Sequence, residues 1–276
     1  MIKIDLKNFS ISNSLPIVLI AGPCVLENEK KTLFIAEEIN KICNELNINY
    51  IFKSSFDKAN RSSIKSERGI SLNDSLQIFE KIKNEFDCPI ITDIHTEEQC
   101  NVLSNNNIID ILQIPAFLSR QTDLLLSAGK TNKIVNVKKG QFLAPSDVKN
   151  IFEKIKSVKN NKIMITERGT SFGYNTLIND FRGIDIMKKF EYPIIFDGTH
   201  SVQQPGGLGD KSGGKREFIP SLCKAAVSIG VAGIFLETHD DPDNAPSDGP
   251  NMINLKDLKK LLTDLKEFDF IAKKNA

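Results

Sequence analysis

Eight short apolar runs rich in β-branched residues recur along this chain, and they limit its possible folds more than any other feature. They read IVLIAG at 17–22, YIFKSSF at 50–56, PIITDIH at 89–95, ILQIPAF at 111–117, KIVNVKK at 133–139, KIMITERG at 162–169, PIIFDGTH at 193–200 and GIFLETH at 233–239. Near-continuous hydrophobicity of this kind suits parallel strands covered on both faces. Between the runs lie segments of helical period. Residues 32–46 place Leu33, Ile35, Ala36, Ile39, Ile42, Cys43 and Leu46 on one face, and residues 72–86, 148–158 and 255–268 repeat the pattern. Strand then helix, eight times over, predicts an α/β protein of the (β/α)8 TIM-barrel type. A doubly wound open sheet is the alternative, but the composition shows no break, which favours closure into a single domain over residues 1–276. The opening segment alternates apolar and polar residues (Ile2, Ile4, Leu6, then Phe9, Ile11) and predicts a short N-terminal β-hairpin over residues 1–12.

Hydrophobic residues make up 40% of the chain, enough for a substantial core, and the formal net charge is only +1. Such balance gives no global pull toward nucleic acid or membrane, so any anion site must come from local placement of basic residues. The five cysteines are odd in number and form no CxxC pair, no charged-then-apolar leader precedes them, and no apolar run reaches the roughly 18 residues of a membrane span. These features predict reduced thiols in a cytoplasmic protein.

Each run begins apolar and turns polar at its end. The polar residues are Cys24 after the first, Lys53 and Ser55 at the second, Asp93 and His95 at the third, and Gln113 on the fourth. The fifth carries Asn136 and Lys138, the sixth Glu167 and Arg168, the seventh Asp197 and His200, and the eighth Glu237 and His239. Residues two apart share a face of a strand, so Asp93 with His95, and Glu237 with His239, are expected to look into the barrel mouth together. One polar strand end is usually just a solvated group. Eight together are hard to explain structurally, because buried charge is costly unless paired or bound to something. Barrel active sites lie at this C-terminal face. Two long loops also fall there: basic residues 57–72, and the glycine-rich SVQQPGGLGDKSGGK at 201–215, which reads as a lid. The basic residues Lys53, Lys58, Arg61, Arg68, Arg120, Lys138, Lys139 and Arg168, with Lys211, Lys215 and Arg216, suit phosphate and carboxylate groups. Lys139 and Lys211 read equally well as solvated surface lysines. Closing the barrel brings Cys24, His200, Glu237 and Asp248 near one another, a donor set that suits a divalent transition metal; for Cys24 the plain alternative is a small buried residue.

At these residues the sequence resembles the 3-deoxy-D-manno-octulosonate 8-phosphate synthase family over essentially its whole length. The similarity is carried by FKSSFDKANRSS (52–63), QIPAFLSRQTDL (113–124), NVKKGQF (136–142), ERGTSFGY (167–174), FDGTHSVQ (196–203) and SDGPN (247–251). The sibling synthase of seven-carbon sugars usually reads lysine-proline-arginine-threonine in the first of these motifs, where this chain has Lys58-Ala59-Asn60-Arg61-Ser62. Metal-independent members of the family carry asparagine at the position of Cys24. Gly22-Pro23-Cys24, the loop PGGLGDKSGGKREF (205–218) and Pro246-Ser247-Asp248 resemble the metal-dependent branch.

The resemblance implies condensation of phosphoenolpyruvate with arabinose 5-phosphate, a phosphorylated aldose, by C–O cleavage. One divalent metal (Zn, Mn, Fe or Co) would be held by Cys24, His200, Glu237 and Asp248 and would orient the aldehyde. Lys53, Lys138 and Arg168 would hold phosphoenolpyruvate, with Lys58, Ser55 and Gln113 alongside. Arg61 and Ser62 would take the sugar phosphate and Asn60 the sugar hydroxyls. Arg120 would arrive from a neighbouring subunit of a homotetramer. Asp93, Asp248, His200 and Lys138 are the expected catalytic groups. His95 is expected as a hydrogen-bonding partner behind the site, and His239 as a group orienting Glu237 or a water. The rival readings are the sibling synthase using erythrose 4-phosphate, a metal-dependent pyruvate aldolase, and a sugar-phosphate sensor. The number of basic residues argues against the aldolase.

Overall fold

A computed structural model describes residues 1–59, 68–207 and 213–274. The expected sugar contacts Asn60, Arg61 and Ser62, and the lid residue Lys211, lie outside the described residues.

Eight parallel strands close into a barrel, as the repeat predicts: β1 Val18–Gly22, β2 Asn49–Lys53, β3 Ile90–Asp93, β4 Ile111–Ile114, β5 Ile134–Lys138, β6 Ile163–Glu167, β7 Ile194–Asp197 and β8 Gly233–His239. Each pairs with its sequence neighbours. Closure comes from β8 pairing with both β7 (Phe196 opposite Ile234) and β1 (Ile234 opposite Leu19). The helices are α1 Glu29–Leu46, α2 Leu72–Phe86, α3 Glu97–Ser104, α4 Thr122–Lys130, α5 Val148–Ser157, α6 Arg182–Lys188, α7 Ile219–Ser228 and α8 Leu255–Lys273. Helix α1 starts a turn before the apolar stripe that predicts it, because the Asn28 side chain accepts a hydrogen bond from the Lys31 N–H.

The strand residues divide by parity. Val18, Ile20, Ile51, Ile91, Ile111, Ile134, Met164, Ile195 and Phe235 fill the barrel interior. Their neighbours Leu19, Phe52, Ile90, Leu112, Val135, Ile165 and Ile234 pack outward against the helices. This double burial is why the runs read as continuously apolar. The N-terminal hairpin, Ile4–Asp5 paired antiparallel with Ser10–Ile11, turns Ile4 and Ile11 onto the barrel's interior core and closes its N-terminal end. The opposite end, at the strand C-termini, carries the polar residues.

Gly22 sets how closely β1 approaches β2 at that end. A Cβ there would lie 2.1 Å from the Lys53 carbonyl oxygen, a backbone atom that cannot swing aside. Gly22→Ala is therefore expected to cost about 3 kcal/mol, read as a lowered urea midpoint, because the chains flanking Cys24 and Lys53 must separate.

Candidate active site

Four basic side chains converge at the mouth, from β2, the segment after it, β5 and the residue following β6. Lys53, Lys138 and Arg168 are buried, and Lys58 is nearly so. Lys138 Nζ lies 2.6 Å from Asp197 Oδ2 and 3.1 Å from the centre of the Phe235 ring. Burial outweighs Asp197 and lowers its pKa to about 8. Burial lowers the Arg168 guanidinium as well, against the pull of Asp197 and Asp248. Arg168 Nη2 donates to Gln203 Oε1 (2.9 Å), while its buried Nη1 has no hydrogen-bond partner among the described residues. A buried, unsatisfied guanidinium donor is costly in isolation, and an anionic ligand would satisfy it.

Beneath these cations Asp93 accepts hydrogen bonds from the Ser55 hydroxyl and from Gln113 Nε2 (2.7 Å), and it pairs with Lys53 Nζ at 3.1 Å. Ser55 Oγ in turn accepts from Lys53 (3.0 Å) and Lys58 (3.1 Å). Burial alone would raise the Asp93 carboxyl. Lys53 and Lys58, with His95 and the Ser55 hydroxyl, instead hold it well below the usual carboxylate range. Asp93 is thus a fixed anion.

The second cluster gathers at the ends of β1, β7 and β8. One ligand atom each from Cys24, Glu237 and Asp248 lies within 4.8 Å of the others. His200 Nε2 faces the same group, 3.8 Å from Glu237 Oε1 and 4.0 Å from Asp248 Oδ2. Asp197 fixes that imidazole: its Oδ1 accepts from the His200 backbone N–H (2.9 Å), and its Oδ2 lies 2.8 Å from Nδ1. Asp197 thus orients the ring through Nδ1, and Nε2 faces the cluster. Asp248 has its backbone in the left-handed region (φ 52°) and accepts from Cys24 Sγ (3.4 Å) and Gln203 Nε2 (3.0 Å). Burial, then Glu237 and Asp248, pushes the Cys24 thiol far up despite Lys58. Burial would lower Lys58, but Cys24, Glu237, Asp93 and Asp248 drive it well above the usual lysine range. Glu237 Oε2 is buried without a partner among the described residues. A thiolate and two carboxylates this close repel one another, and the partnerless Glu237 Oε2 among the described residues suits a cation. The donor set fits a divalent transition metal.

Several expected positions differ in the structure. His239 makes no hydrogen bond to Glu237 among the described residues. Beyond Glu237, which sits opposite Gly22, β8 leaves β1 and pairs with Ile253–Asn254. His239 Nε2 therefore meets Glu27 at 2.8 Å, and its Nδ1 accepts from the Asp241 N–H. His95 packs edge-on to Phe56 and lends its backbone N–H to Gln99; its Nδ1 finds no partner among the described residues, and burial lowers its pKa. Lys139 is not a surface lysine: it is fully buried, 3.5 Å from Glu167 and bonded to the Leu143 carbonyl. Arg68 is exposed and forks onto Asp57, and Arg216 pairs with Asp243. Arg120 is exposed after β4, and its carbonyl accepts from Lys154. Sequence reasoning placed Asp197 among the polar strand ends without a role of its own, and it did not single out Gln203. Asp197 anchors both Lys138 and His200, and Gln203 ties Arg168 to Asp248. For Asp197 the available signal was the Asp-x-x-His spacing at 197–200, which puts a carboxylate within reach of the imidazole one turn later.

Comparison with known proteins agrees with this architecture over nearly the whole chain. A relative from Bartonella henselae, named 2-dehydro-3-deoxyphosphooctonate aldolase, is 55% identical over 271 residues, 98% of this chain and 96% of its own length. Proteins of the same name from Rickettsia canadensis (55% over 270 residues, 98% of each chain) and Agrobacterium fabrum (54% over 264 residues, 96% and 93%) are similar. The sequence model described as the DAHP synthetase I family matches residues 1–274. With that match and these identities, the chain belongs to the DAHP synthetase I family.

Proposed function

We propose that this protein condenses phosphoenolpyruvate with D-arabinose 5-phosphate and water to give 3-deoxy-D-manno-octulosonate 8-phosphate and phosphate, a step toward lipopolysaccharide precursors. The observation that carries the reading is the buried cationic seat, in which Arg168 Nη1 has no partner among the described residues and Lys53, Lys58 and Lys138 stand nearby. A small trianion such as phosphoenolpyruvate fits that seat, and a dry, preorganised array of cations binds it far more strongly than solvated lysines would. The names of the relatives support the eight-carbon product over the seven-carbon one.

In this reading Arg168, Lys53 and Lys58 bind the phosphate and carboxylate. Carbon 3 of phosphoenolpyruvate attacks the aldehyde carbon, water adds at carbon 2, and phosphate leaves with C–O cleavage. Lys138, poised near neutrality, is charged enough to bind an anion at pH 7 and acidic enough to release a proton to the developing alkoxide. Asp93 fixes Lys53 and Ser55 as an anion beneath the seat. Asp248, also held below the usual range, against burial, by His200 and Lys58, is the proposed proton acceptor on the water side. Cys24, His200, Glu237 and Asp248 would hold one divalent metal, Zn, Mn, Fe or Co. When bound, it would orient the aldehyde oxygen.

The test is phosphate release from phosphoenolpyruvate with arabinose 5-phosphate against erythrose 4-phosphate. Turnover with the five-carbon sugar is expected, and a preference for the four-carbon one would move the chain to the sibling reaction.

A homotetramer working in the cytoplasm completes the proposal. The five cysteines are free, and among the described residues no helix is long and apolar enough to cross a membrane. Around Arg120, the rim carries exposed Phe117, Phe142, Phe172 and Tyr174, which supports burial by a second copy. Sedimentation is expected to give four chains, and Arg120→Ala to raise the KM for arabinose 5-phosphate about tenfold while leaving that for phosphoenolpyruvate alone. Equal KM values for parent and variant would remove Arg120 from the site.

A further inference from the structure

One row of buried polar side chains crosses the barrel interior just below the cations, and the functional reading does not use all of it. Thr166 Oγ1 donates to Asn136 Oδ1 (2.8 Å), Asn136 Nδ2 to Gln113 Oε1 (2.9 Å), and Gln113 Nε2 to Asp93 Oδ1 (2.7 Å). The row runs from β6 through β5 and β4 to β3. Thr166 and Asn136 are fully buried, and Gln113 nearly so. Every donor points the same way, toward Asp93.

That direction has a chemical cause. An ionised carboxylate only accepts, so Gln113 must show Asp93 its N–H2 and turn its carbonyl to Asn136. Asn136 must then show its own N–H2 to Gln113 and its carbonyl to Thr166, whose hydroxyl donates. Reversing any one amide puts two carbonyl oxygens, or two N–H2 groups, face to face in a dry interior, unless the whole row reverses and Asp93 takes up a proton. The orientation of Gln113 at the site is thus held by two residues that do not reach the mouth.

We propose that Asn136 and Thr166 are positioning residues, which hold Gln113 with its amide N–H2 rather than its carbonyl on Asp93 and so fix how Asp93 engages Lys53 and Ser55 at the phosphoenolpyruvate seat. The proposal rests on that seat being the phosphoenolpyruvate site. The bland alternative is a polar layer that serves folding alone.

Position 136 offers a test, because aspartic acid has almost the same shape as asparagine. A protonated Asp side chain donates to Gln113 and accepts from Thr166, which preserves the row. An ionised one cannot donate, and it forces Gln113 to turn its N–H2 away from Asp93. The charged or titratable groups around this region are Asp93 of β3 and His95 after it, Lys53 of β2, Lys58 after it, Lys138 of β5, Glu167 of β6 and Asp197 of β7. Burial and the nearby Asp93 both favour the neutral form of an Asp at this position.

For Asn136→Asp, kcat/KM for phosphoenolpyruvate is expected to be close to the parent's at low pH and to fall about tenfold as pH rises, over a range in which the parent stays flat. The KM for arabinose 5-phosphate should not move. Asn136→Leu separates this from simple charge repulsion: it carries no charge, removes the same donor, and is expected to lose about tenfold on phosphoenolpyruvate at every pH. If Asn136→Leu fails to fold, Thr166→Val with Thr166→Ser as its hydroxyl-retaining rescue takes its place: a loss with Val restored by Ser supports the row. An Asn136→Leu enzyme with parental phosphoenolpyruvate kinetics, or equal losses on both substrates, would overturn the proposal. A parent enzyme that does not turn over these two substrates would instead sink the functional reading on which it stands.

Discussion

Lys138→Met should leave a folded protein with turnover reduced about 10³-fold, the range seen when a positioned acid or a charge-stabilising donor is removed. The fold is expected to survive because Asp197, the ion-pair partner of Lys138, keeps two hydrogen bonds from His200, through the backbone N–H and Nδ1. Met fills much of the same volume against Phe235, so no cavity opens. The parent enzyme should show a basic limb in kcat/KM for phosphoenolpyruvate near pH 8, where Lys138 loses its proton, and the variant should lack it. The linkage to stability has a definite sign. The native state holds Lys138 near 8, against about 10.5 when unfolded, so between those values the unfolded chain binds more protons and this group favours folding increasingly as pH rises. Below pH 8 both states are protonated and burial of the ammonium is a constant penalty. Activity and the Lys138 contribution to stability therefore change in opposite directions above pH 8, which separates loss of catalysis from unfolding. Full turnover in Lys138→Met would exclude any catalytic role for this residue.

The barrel was legible because its strands are buried on both faces, so each leaves an uninterrupted apolar run, and because a helical segment can follow each of the eight runs. The N-terminal hairpin was legible from period-two alternation, with Ile4 and Ile11 on the buried side. Site residues could be listed because charge at the end of a buried strand needs a partner or a ligand, and Lys53, Lys138 and Arg168 do sit together in the mouth. Contacts between strands were less legible. Asp197 acts on Lys138 from two strands away, and Gln203 joins residues 168 and 248, relations that no local spacing encodes. The bonding of His239 was also not legible: it is held by Glu27 and by the Asp241 N–H rather than by Glu237. Lys139 was ambiguous for a related reason. It neighbours Lys138 in sequence and so points away from the mouth, toward Glu167 and the Leu143 carbonyl, and its burial depends on a loop whose course the sequence does not show.

Metal removal is the second large effect expected. Cys24, Glu237 and Asp248 bring donor atoms within 4.8 Å in a buried site, with His200 Nε2 at the edge. Without a cation, this arrangement is compensated only in part: Lys58 stands 4.0 Å from Glu237, and Cys24 keeps its proton and donates to Asp248. A divalent ion would take that proton's place, satisfy Glu237 Oε2 and release Lys58 toward the substrate anion. Protein purified without chelator is therefore expected to carry about one divalent ion per chain. Treatment with a strong chelator should lower turnover by about 10²-fold or more and lower the melting temperature, because an ion bound only by the folded state stabilises it. Adding back Zn, Mn, Fe or Co should restore both. Cys24→Asn, which replaces the thiolate with a neutral amide, should weaken metal binding by at least about 10-fold in a chelator competition, a measurement independent of catalysis. Asp197→Asn tests the support behind the ligands. It keeps the shape but turns an acceptor of the His200 Nδ1 proton into an amide, so it should weaken metal binding by about 10-fold through the imidazole's orientation alone. Metal-free protein with undiminished, chelator-insensitive turnover would remove the ion from the reaction. The Cys24–Asp248 hydrogen bond and the Lys58–Glu237 pair would then be the working state of the site, and Asp248, the residue best placed to accept a proton there, would act without metal assistance.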